Sequence, residues 1–330
     1  MRVCLYYRKF PEVDRWLAGD RFVRPLMRKL IRGQPALSGL DKVFLNLCLG
    51  LDHLGVSYLI NIPFRELRSG DLIGVLGRGH YSLKGYDQLF PLVAGIGLMA
   101  HPSEWPTLCE DYPVARYLQH SEWANNIYRP YFGERCRVWP VGIDTYKYAP
   151  SSTTKDLDIL LYDKIRWDKS HYDHVLVQPI RDSLARRNLK FAELRYGSYA
   201  DVEYRGLLAR ARAMIFLCEH ESQGLAYQEC LSSDVPILAW DQGWWLDPNR
   251  FQWGTPNVPA SSVPFFDSRC GEKFRGLDDF EVKLDIFLCH LRQQEFKPRD
   301  YVLNNLSLER CSQRFLEILE EAQKSASTSR

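Results

Sequence analysis

The amino-acid sequence predicts an α/β protein with two domains, each built on a parallel β-sheet. Short runs of β-branched or aromatic residues alternate with segments whose apolar residues recur at helical spacing. This alternation starts again after residue 150, behind the stretch Ala149–Lys155, which is rich in Ser and Thr and contains a Pro. A chain of 330 residues is also long enough for one hydrophobic core to divide into two.

The first half contains five candidate strands and one clear helix. The helix, from about Leu40 to Leu54, places apolar residues on one face, and Gly55 follows as a typical helix stop. Because this helix joins two neighbouring strands in a β-α-β unit, those strands are expected to be parallel. The predicted strands are Val3–Tyr7, Ser57–Asn61, Leu72–Leu76, Leu92–Met99 and Arg116–Gln119.

The second half has the same kind of pattern. Met214–Leu217 is continuously apolar, as expected for a parallel strand that is buried on both faces. The predicted strands are Leu157–Tyr162, Phe191–Tyr196, Ala213–Cys218, Pro236–Trp240 and Val263–Phe266, and the predicted helices are His171–Arg187, Asp201–Ala211 and Gly224–Ser233. We therefore expect a first domain at 1–148, a second at 149–304 and a final helix within 305–330, where apolar residues form one stripe.

The composition argues against several classes of protein. The 43 Lys and Arg residues nearly balance the 41 Asp and Glu residues, and a net charge of +2 argues against nucleic acid as the main partner. The nine cysteines are scattered without a CxxC pair, which favours reduced thiols, and no spacing predicts a metal site. No apolar run approaches the roughly 18 residues of a membrane span, and we see no signal peptide. We expect a cytoplasmic protein.

A basic segment at 14–32 has a composition that is compatible with contact with a membrane. It interleaves six Arg and Lys residues with large apolar residues, a pattern that suits the anionic inner face of a membrane. A helix that packs its apolar side on the first domain and exposes its charges would give the same pattern.

The most informative stretch is Met214–Gly243, which reads as strand, loop, helix, strand and loop. Ligands of open parallel sheets bind beyond the carboxyl ends of the strands, where both of these loops lie. Gly224 opens the helix, where free backbone N–H groups favour a phosphate. Glu221 precedes the helix and Glu229 follows eight positions later, so the two carboxylates suit opposite ends of one long ligand, and Glu229 suits the hydroxyls of a ribose.

Residues 221–229, Glu-Ser-Gln-Gly-Leu-Ala-Tyr-Gln-Glu, resemble the Glu-x7-Glu signature of family 4 retaining glycosyltransferases, with Gln223 in place of the usual aromatic residue. Three other segments resemble the family in the expected order: Trp139–Asp144, Tyr204–Ala213 and Val235–Gly243. The resemblance implies the GT-B fold, in which two Rossmann-like domains with parallel sheets face a cleft between them. It also implies that the last helix packs back on the first domain.

The resemblance implies roles for the residues of the signature. Glu221 would contact the donor sugar as a catalytic residue, and Glu229 would bind the nucleotide ribose. The backbone amides of Gln223, Gly224 and Leu225 would face the donor.

The resemblance also implies residues that face the diphosphate and the acceptor. Lys164 and Lys169 match the family's basic pair, and Arg166 is the competing candidate. Such cations can stabilise a departing diphosphate without a metal. In the first domain, Gly39 would face the diphosphate or the acceptor, and His101 is a candidate on the acceptor side, although a lone histidine is more often structural.

The function that the resemblance implies is transfer of a sugar, with retention, from a nucleotide-diphosphate sugar to a glycan, a lipid-linked acceptor or a small molecule. No cofactor and no metal are expected. One alternative is an inactive GT-B-like protein that binds a nucleotide-sugar or acts as a scaffold. A weaker alternative is a dinucleotide-dependent oxidoreductase, because Gly95–Ala100 has the spelling G-x-G-x-x-A, although Pro102 follows where a helix should begin.

Overall fold

The computed structural model describes residues 2–8, 38–254 and 257–328. The first sheet consists of β1 (Val3–Arg8), β2 (Tyr58–Ile60), β3 (Leu72–Gly77), β4 (Leu92–Gly95), β5 (Val114–Gln119) and β6 (Cys136–Val138), in the order β2-β1-β3-β4-β5-β6. The second sheet consists of β7 (Leu157–Asp163), β8 (Phe191–Arg195), β9 (Ala211–Leu217), β10 (Ile237–Trp240) and β11 (Gly271–Phe274), in the order β11-β10-β9-β7-β8. All these strands pair in parallel, so the predicted pair of parallel sheets is confirmed.

Helices connect the strands and cover both sheets. A π-helical turn at Asp173–Val177 joins two of them into one longer helical segment. The α-helices of the described residues are α1 (Gly39–His53), α2 (Leu108–Asp111), α3 (Glu122–Phe132), α4 (Lys169–Tyr172), α5 (Gln178–Arg186), α6 (Asp201–Arg210), α7 (Leu225–Ser232), α8 (Leu277–Arg292), α9 (Pro298–Asn305) and α10 (Leu308–Thr328).

The order of the strands determines where each sheet can hold a ligand. In each sheet the second strand along the chain lies on one side of the first strand, and the third lies on the other side. The connections therefore leave in opposite directions from the first and third strands, which opens a crevice beyond their carboxyl ends. The place where the connections change direction is the switch point of a sheet. It lies between β1 and β3 in the first domain and between β7 and β9 in the second.

The last helix, α10, belongs to the core of the first domain. Phe315 is fully buried and packs against Trp139, with the ring centroids 4.9 Å apart. The indole N–H of Trp139 donates to the carbonyl of Cys311 at 2.9 Å. A methyl group at Gly74 of β3 would lie 2.8 Å from the Phe315 ring, so the sheet and the helix are in direct contact.

Two predicted strands differ from the structure. The predicted strand Val263–Phe266 is wrong: the fifth strand of the second sheet is Gly271–Phe274, an edge strand whose short sequence lacks an apolar run. Gly271 approaches β10 so closely that a Cβ there would lie 1.9 Å from the carbonyl oxygen of Ile237. The strand predicted at Leu92–Met99 ends at Gly95, because residues 95–97 all have positive φ and break the ladder.

Candidate functional site

The switch point of the second sheet brings Lys164 next to Glu221. Asp163 at the end of β7 pairs with Leu217 at the end of β9, and the N–H of Lys164 donates to the carbonyl of Leu217 at 2.7 Å. The loops that follow these strands therefore run side by side. The Lys164 ammonium forms an ion pair with the Glu221 carboxylate, and both residues are buried.

The environment of Lys164 favours its charged form. Burial alone would lower the pKa of this amine, but the Glu221 carboxylate outweighs burial, and the pKa of Lys164 lies above its ordinary value. The ammonium also lies 4.5 Å from the centre of the Tyr196 ring. The site therefore holds a fixed cation at its floor, with its own counter-ion beside it.

Glu219 fixes the loop that carries Lys164. One oxygen of its buried carboxylate accepts the backbone N–H groups of Arg166 and Trp167, at 2.8 and 2.9 Å. Burial raises the pKa of Glu219, although these two hydrogen bonds act against the shift. The other oxygen is buried without a hydrogen-bond partner among the described residues. Glu219 therefore ties the loop after β7 to the loop after β9.

Helix α7 begins at the mouth of this site. Gly224 is its N-terminal cap and has a φ of +83°, which glycine adopts without strain. A methyl group there would lie 2.1 Å from the ring of Tyr227. Both the positive φ and this close contact therefore favour glycine at the position. Leu225 is the first residue of the helix, and it packs against the core of the first domain as well as that of the second.

Glu229 lies one and a half turns into α7 and meets a lysine from the other domain. Its carboxylate is 3.3 Å from the ammonium of Lys42, which belongs to α1. Burial raises the pKa of Glu229, and the charge of Lys42 acts against that shift. This ion pair crosses the cleft between the two sheets.

Gln223 uses its side chain for structure. Its carbonyl oxygen accepts the N–H of Val141 at 2.9 Å, and its amide donates to the carbonyl of Val141 at 3.1 Å and to Gln228 at 2.7 Å. The side chain thus pairs with the backbone of Val141 as a neighbouring strand would. The backbone N–H of Gln223 remains the group that could face a ligand.

Two further cations lie at the rim of the site. Arg166 is exposed, and its guanidinium lies 4.7 Å from the ring centre of Trp167. Lys169 is exposed and is the first residue of α4. Neither forms an ion pair within residues 2–8, 38–254 and 257–328. Both are available to a ligand with negative charge.

Gly39 is the first residue of α1 and lies on the same helix as Lys42. Ser38 caps this helix: its hydroxyl accepts the N–H of Asp41, and the Asp41 carboxylate accepts the N–H of Ser38. Among the described residues, no atom would lie within 4 Å of a Cβ at Gly39, so none of them requires a glycine there. Gly39 lies three positions before Lys42, at the start of α1.

His101 joins an aromatic cluster that spans the cleft. Its ring stacks on Trp253 of the second domain, with centroids 5.0 Å apart. Trp253 stacks on Trp245, and His220 stacks on Trp167 beside them. The buried Nε2 of His101 and Nδ1 of His220 have no hydrogen-bond partner in the described part of the chain. These nitrogens and ring faces suit a ligand with both apolar faces and hydroxyl groups.

The glycines at 95 and 97 have packing roles. A Cβ at Gly95 would lie 2.5 Å from the backbone of Leu118, and one at Gly97 would lie 2.7 Å from the carbonyl oxygen of Gly77. The only helical structure that follows at once is the short 3₁₀ turn Pro102–Glu104. A dinucleotide fingerprint requires a helix to start directly after the strand, so this segment lacks its structural context.

Sequence reasoning missed Lys42, Glu219 and Trp123, whose indole N–H donates to the carbonyl of Glu221 at 2.9 Å. Lys42 and Glu229 are 187 positions apart, and no local pattern connects them. The available signal for Glu219 was its place as the polar residue directly after the predicted strand Ala213–Cys218.

Other expectations concern a membrane and metals. The basic segment 14–32 lies outside the described residues. Within residues 2–8, 38–254 and 257–328, the structure contains no helix with the length and apolar character needed to cross a bilayer. The same residues contain no group of three or more His, Cys, Asp or Glu side chains that could hold a metal ion.

Solved structures of glycosyltransferases have the same architecture. AviGT4, a glycosyltransferase involved in avilamycin A biosynthesis, matches with a TM-score of 0.59 at 14% identity, over 98% of each chain. A sucrose-phosphate synthase from Thermosynechococcus elongatus matches with a TM-score of 0.56 at 11% identity, over 97% of this chain and 98% of that one. The lipopolysaccharide outer core galactosyltransferase WaaB, in its apo form, matches with a TM-score of 0.52 at 10% identity, over 97% of this chain and 99% of that one.

Sequence comparison adds nothing to this: no protein-family model matches the chain, and no curated protein matches it. The likeness at low identity concerns the fold. The two parallel α/β domains, with the carboxyl ends of their strands at a shared cleft, are those of the GT-B fold.

Proposed function

We propose that the protein is a glycosyltransferase that moves a sugar from a nucleotide-diphosphate sugar to an acceptor hydroxyl, with retention of configuration. The observation that carries the proposal is the arrangement of Glu221, Glu229 and Lys164 around the switch point of the second sheet. Two carboxylates and a buried cation at this place suit the hydroxyls and the diphosphate of such a donor. The fold supports the same class of enzyme.

The proposed donor lies along the start of α7. Glu229 accepts hydrogen bonds from the ribose hydroxyls, and Glu221 accepts hydrogen bonds from the sugar. The free backbone N–H groups at the start of the helix face the diphosphate, and Gly224 lets it approach. Lys164, held by Glu221, is the cation nearest to the reacting bond.

The proposed reaction exchanges one bond at the anomeric carbon. The bond from C1 to the phosphate oxygen breaks, a bond from C1 to the acceptor oxygen forms on the same face, and the acceptor proton passes to the departing phosphate. Negative charge develops on the diphosphate, and Lys164, with Arg166 and Lys169 at the rim, offsets it. A buried cation contributes more than an exposed one because water screens it less.

The test combines donor binding with turnover. UDP or GDP should raise the melting temperature, and the matching sugar nucleotide should be consumed in the presence of an acceptor. Glu221→Gln and Glu229→Gln should each lower the rate at least about tenfold, since one charge-assisted contact contributes about 1.5–3 kcal/mol. Glu203→Gln, at an exposed position on α6, is the matched control and should leave the rate unchanged.

The outcomes separate the alternatives. A nucleoside diphosphate that stabilises the protein without any turnover of a donor panel would favour an inactive nucleotide-sugar-binding protein. Normal turnover in either glutamine variant would contradict the proposed site, provided that urea unfolding shows both variants to be folded. No stabilisation by any nucleoside diphosphate at millimolar concentration would contradict donor binding itself.

A further inference from the structure

We propose that Lys42 leaves Glu229 when the donor binds and pairs with the donor diphosphate, so that the first domain contributes a cation to the leaving group. This inference rests on the proposed function. It assigns a binding role to a residue that no motif in the sequence indicates.

The geometry begins with an ion pair between domains. The Lys42 ammonium lies 3.3 Å from the Glu229 carboxylate. Lys42 is in the first turn of α1, which covers the first sheet, whereas Glu229 is on α7 of the second domain. The carboxylate that should bind ribose is therefore already paired with Lys42 in this structure.

The other charges near Glu229 have partners of their own. The Asp201 carboxylate pairs with Lys147 at 3.1 Å and accepts the hydroxyl of Tyr148 at 2.7 Å. On the other side of the site, Lys164 pairs with Glu221. An arriving diphosphate thus meets Glu221 and Glu229, each paired with one lysine, and Asp201, which pairs with both Lys147 and Arg205. Arg166 and Lys169 at the rim need no such exchange, but a lysine that is already paired can turn to the diphosphate only where a ligand group replaces it at its carboxylate.

Of the two ion pairs Lys42–Glu229 and Lys164–Glu221, the first is the one that a bound donor can break. The hydroxyls of a ribose can replace the ammonium as hydrogen-bond donors to Glu229. The Lys42 side chain is 36% exposed on a flexible stem, whereas the Lys164 side chain is 11% exposed. Once released, the Lys42 ammonium is drawn to the nearest unpaired negative charge, which is the diphosphate. The exchange keeps both Glu229 and Lys42 partnered.

The experiment compares ligands with and without the diphosphate. Isothermal titration calorimetry measures the dissociation constants of UDP and uridine, or of GDP and guanosine, for the full chain and for Lys42→Met. We expect the variant to bind the nucleoside diphosphate about 10- to 100-fold more weakly, the scale of one charge-assisted contact. Binding of the nucleoside should stay equal or become tighter, because Glu229 is no longer occupied. The conservative variant Lys42→Arg should restore most of the preference for the diphosphate.

The control is Lys147→Met, which removes a nearby lysine that pairs with Asp201 and not with Glu229. Its ratio of nucleoside to diphosphate affinity should match that of the unmodified protein. An unchanged ratio in Lys42→Met would overturn the exchange and leave the proposed function standing, and so would an equal loss for both ligands, which would mean a purely structural role. If the unmodified protein binds no nucleoside diphosphate, the proposed function fails first and this inference with it.

Discussion

Gln223 illustrates how a residue within a functional motif can act through packing. Its side chain makes both backbone hydrogen bonds of Val141, in the segment that leads from the first domain to the second. It is 4% exposed, so water cannot replace these bonds. The residue therefore fixes the loop before α7 against the connection between the domains.

Replacing this side chain should therefore cost stability. Gln223→Met keeps the approximate volume but leaves the N–H and C=O of Val141 buried without partners. We expect the free energy of unfolding to fall by about 2–3 kcal/mol, from the cost of unsatisfied buried polar groups. Urea unfolding followed by fluorescence measures it. Gln242→Met is the matched control: the Gln242 amide nitrogen has no partner among the described residues, so the loss should stay below about 1 kcal/mol. Equal losses in both variants would contradict this role for Gln223.

Residues of the site differ in how far the sequence could reveal them. Glu221, Gly224 and Glu229 lie within nine consecutive positions, so a local pattern contains them all. The Lys164–Glu221 pair depends on β7 and β9 lying side by side in the sheet, and the sequence predicted a parallel sheet without its strand order. The Lys42–Glu229 pair depends on the packing of two domains and left no local signal.

The elements show the same limits at a larger scale. Strands that are buried on both faces, such as β3 and the part of β9 from Ala213 to Leu217, are apolar and were predicted nearly to their ends. The three-residue edge strand β6 and the helix α3, which contains Pro130, were not predicted. Edge strands need fewer apolar residues, and a proline within a helix weakens the pattern that identifies it.

The helix α10 determines the stability of the first domain. Phe315 contacts Trp139, lies against Gly74 of β3, and belongs to the core cluster that α10 shares with the first sheet. Phe315→Ala should lower the free energy of unfolding by about 3–5 kcal/mol, as for other buried aromatic residues. Gln313→Ala, on the exposed side of the same helix, should change it by no more than about 0.5 kcal/mol. Chemical denaturation measures the free energy of unfolding of both variants. A small effect of Phe315→Ala would mean that α10 is not part of this core.

At the scale of the whole molecule, buried histidines lie where the two domains meet. His120 follows β5, and its Nδ1 lies 3.2 Å from the carbonyl oxygen of Trp139. Burial lowers the pKa of His120 to about 4, and burial lowers the pKa of His220, in the aromatic cluster, to about 3. Both are therefore neutral in the folded protein at pH values where the unfolded chain begins to bind protons.

This difference gives a pH dependence with a definite sign. A folded-state pKa below the unfolded value of 6.5 contributes stability that is present above pH 6.5 and is lost as the pH falls towards the folded pKa of about 4. The raised pKa values of Glu219 and Glu229 act in the opposite direction, so the measurement must isolate one group.

The comparison uses His120→Gln, which cannot titrate. Between pH 7.5 and 5.5 the stability of the unmodified protein relative to this variant should fall by about 1 kcal/mol, as measured by urea unfolding. His174→Gln, at an exposed histidine on the π-helical turn, is the control for the exchange of a histidine for a glutamine. A constant difference between the protein and His120→Gln across this pH range would contradict the buried neutral state of His120.

The position of α10 has a consequence for synthesis on the ribosome. The strands of the second sheet and the helices that cover them, including α9 with Val302, are complete once residue 306 has emerged. One face of the first sheet still awaits Phe315, Ile318 and Leu319 at that stage. Multidomain chains usually fold in the order in which they are translated. Here we expect the later-made sheet to be covered first, while the earlier-made one retains an uncovered apolar face until α10 has emerged.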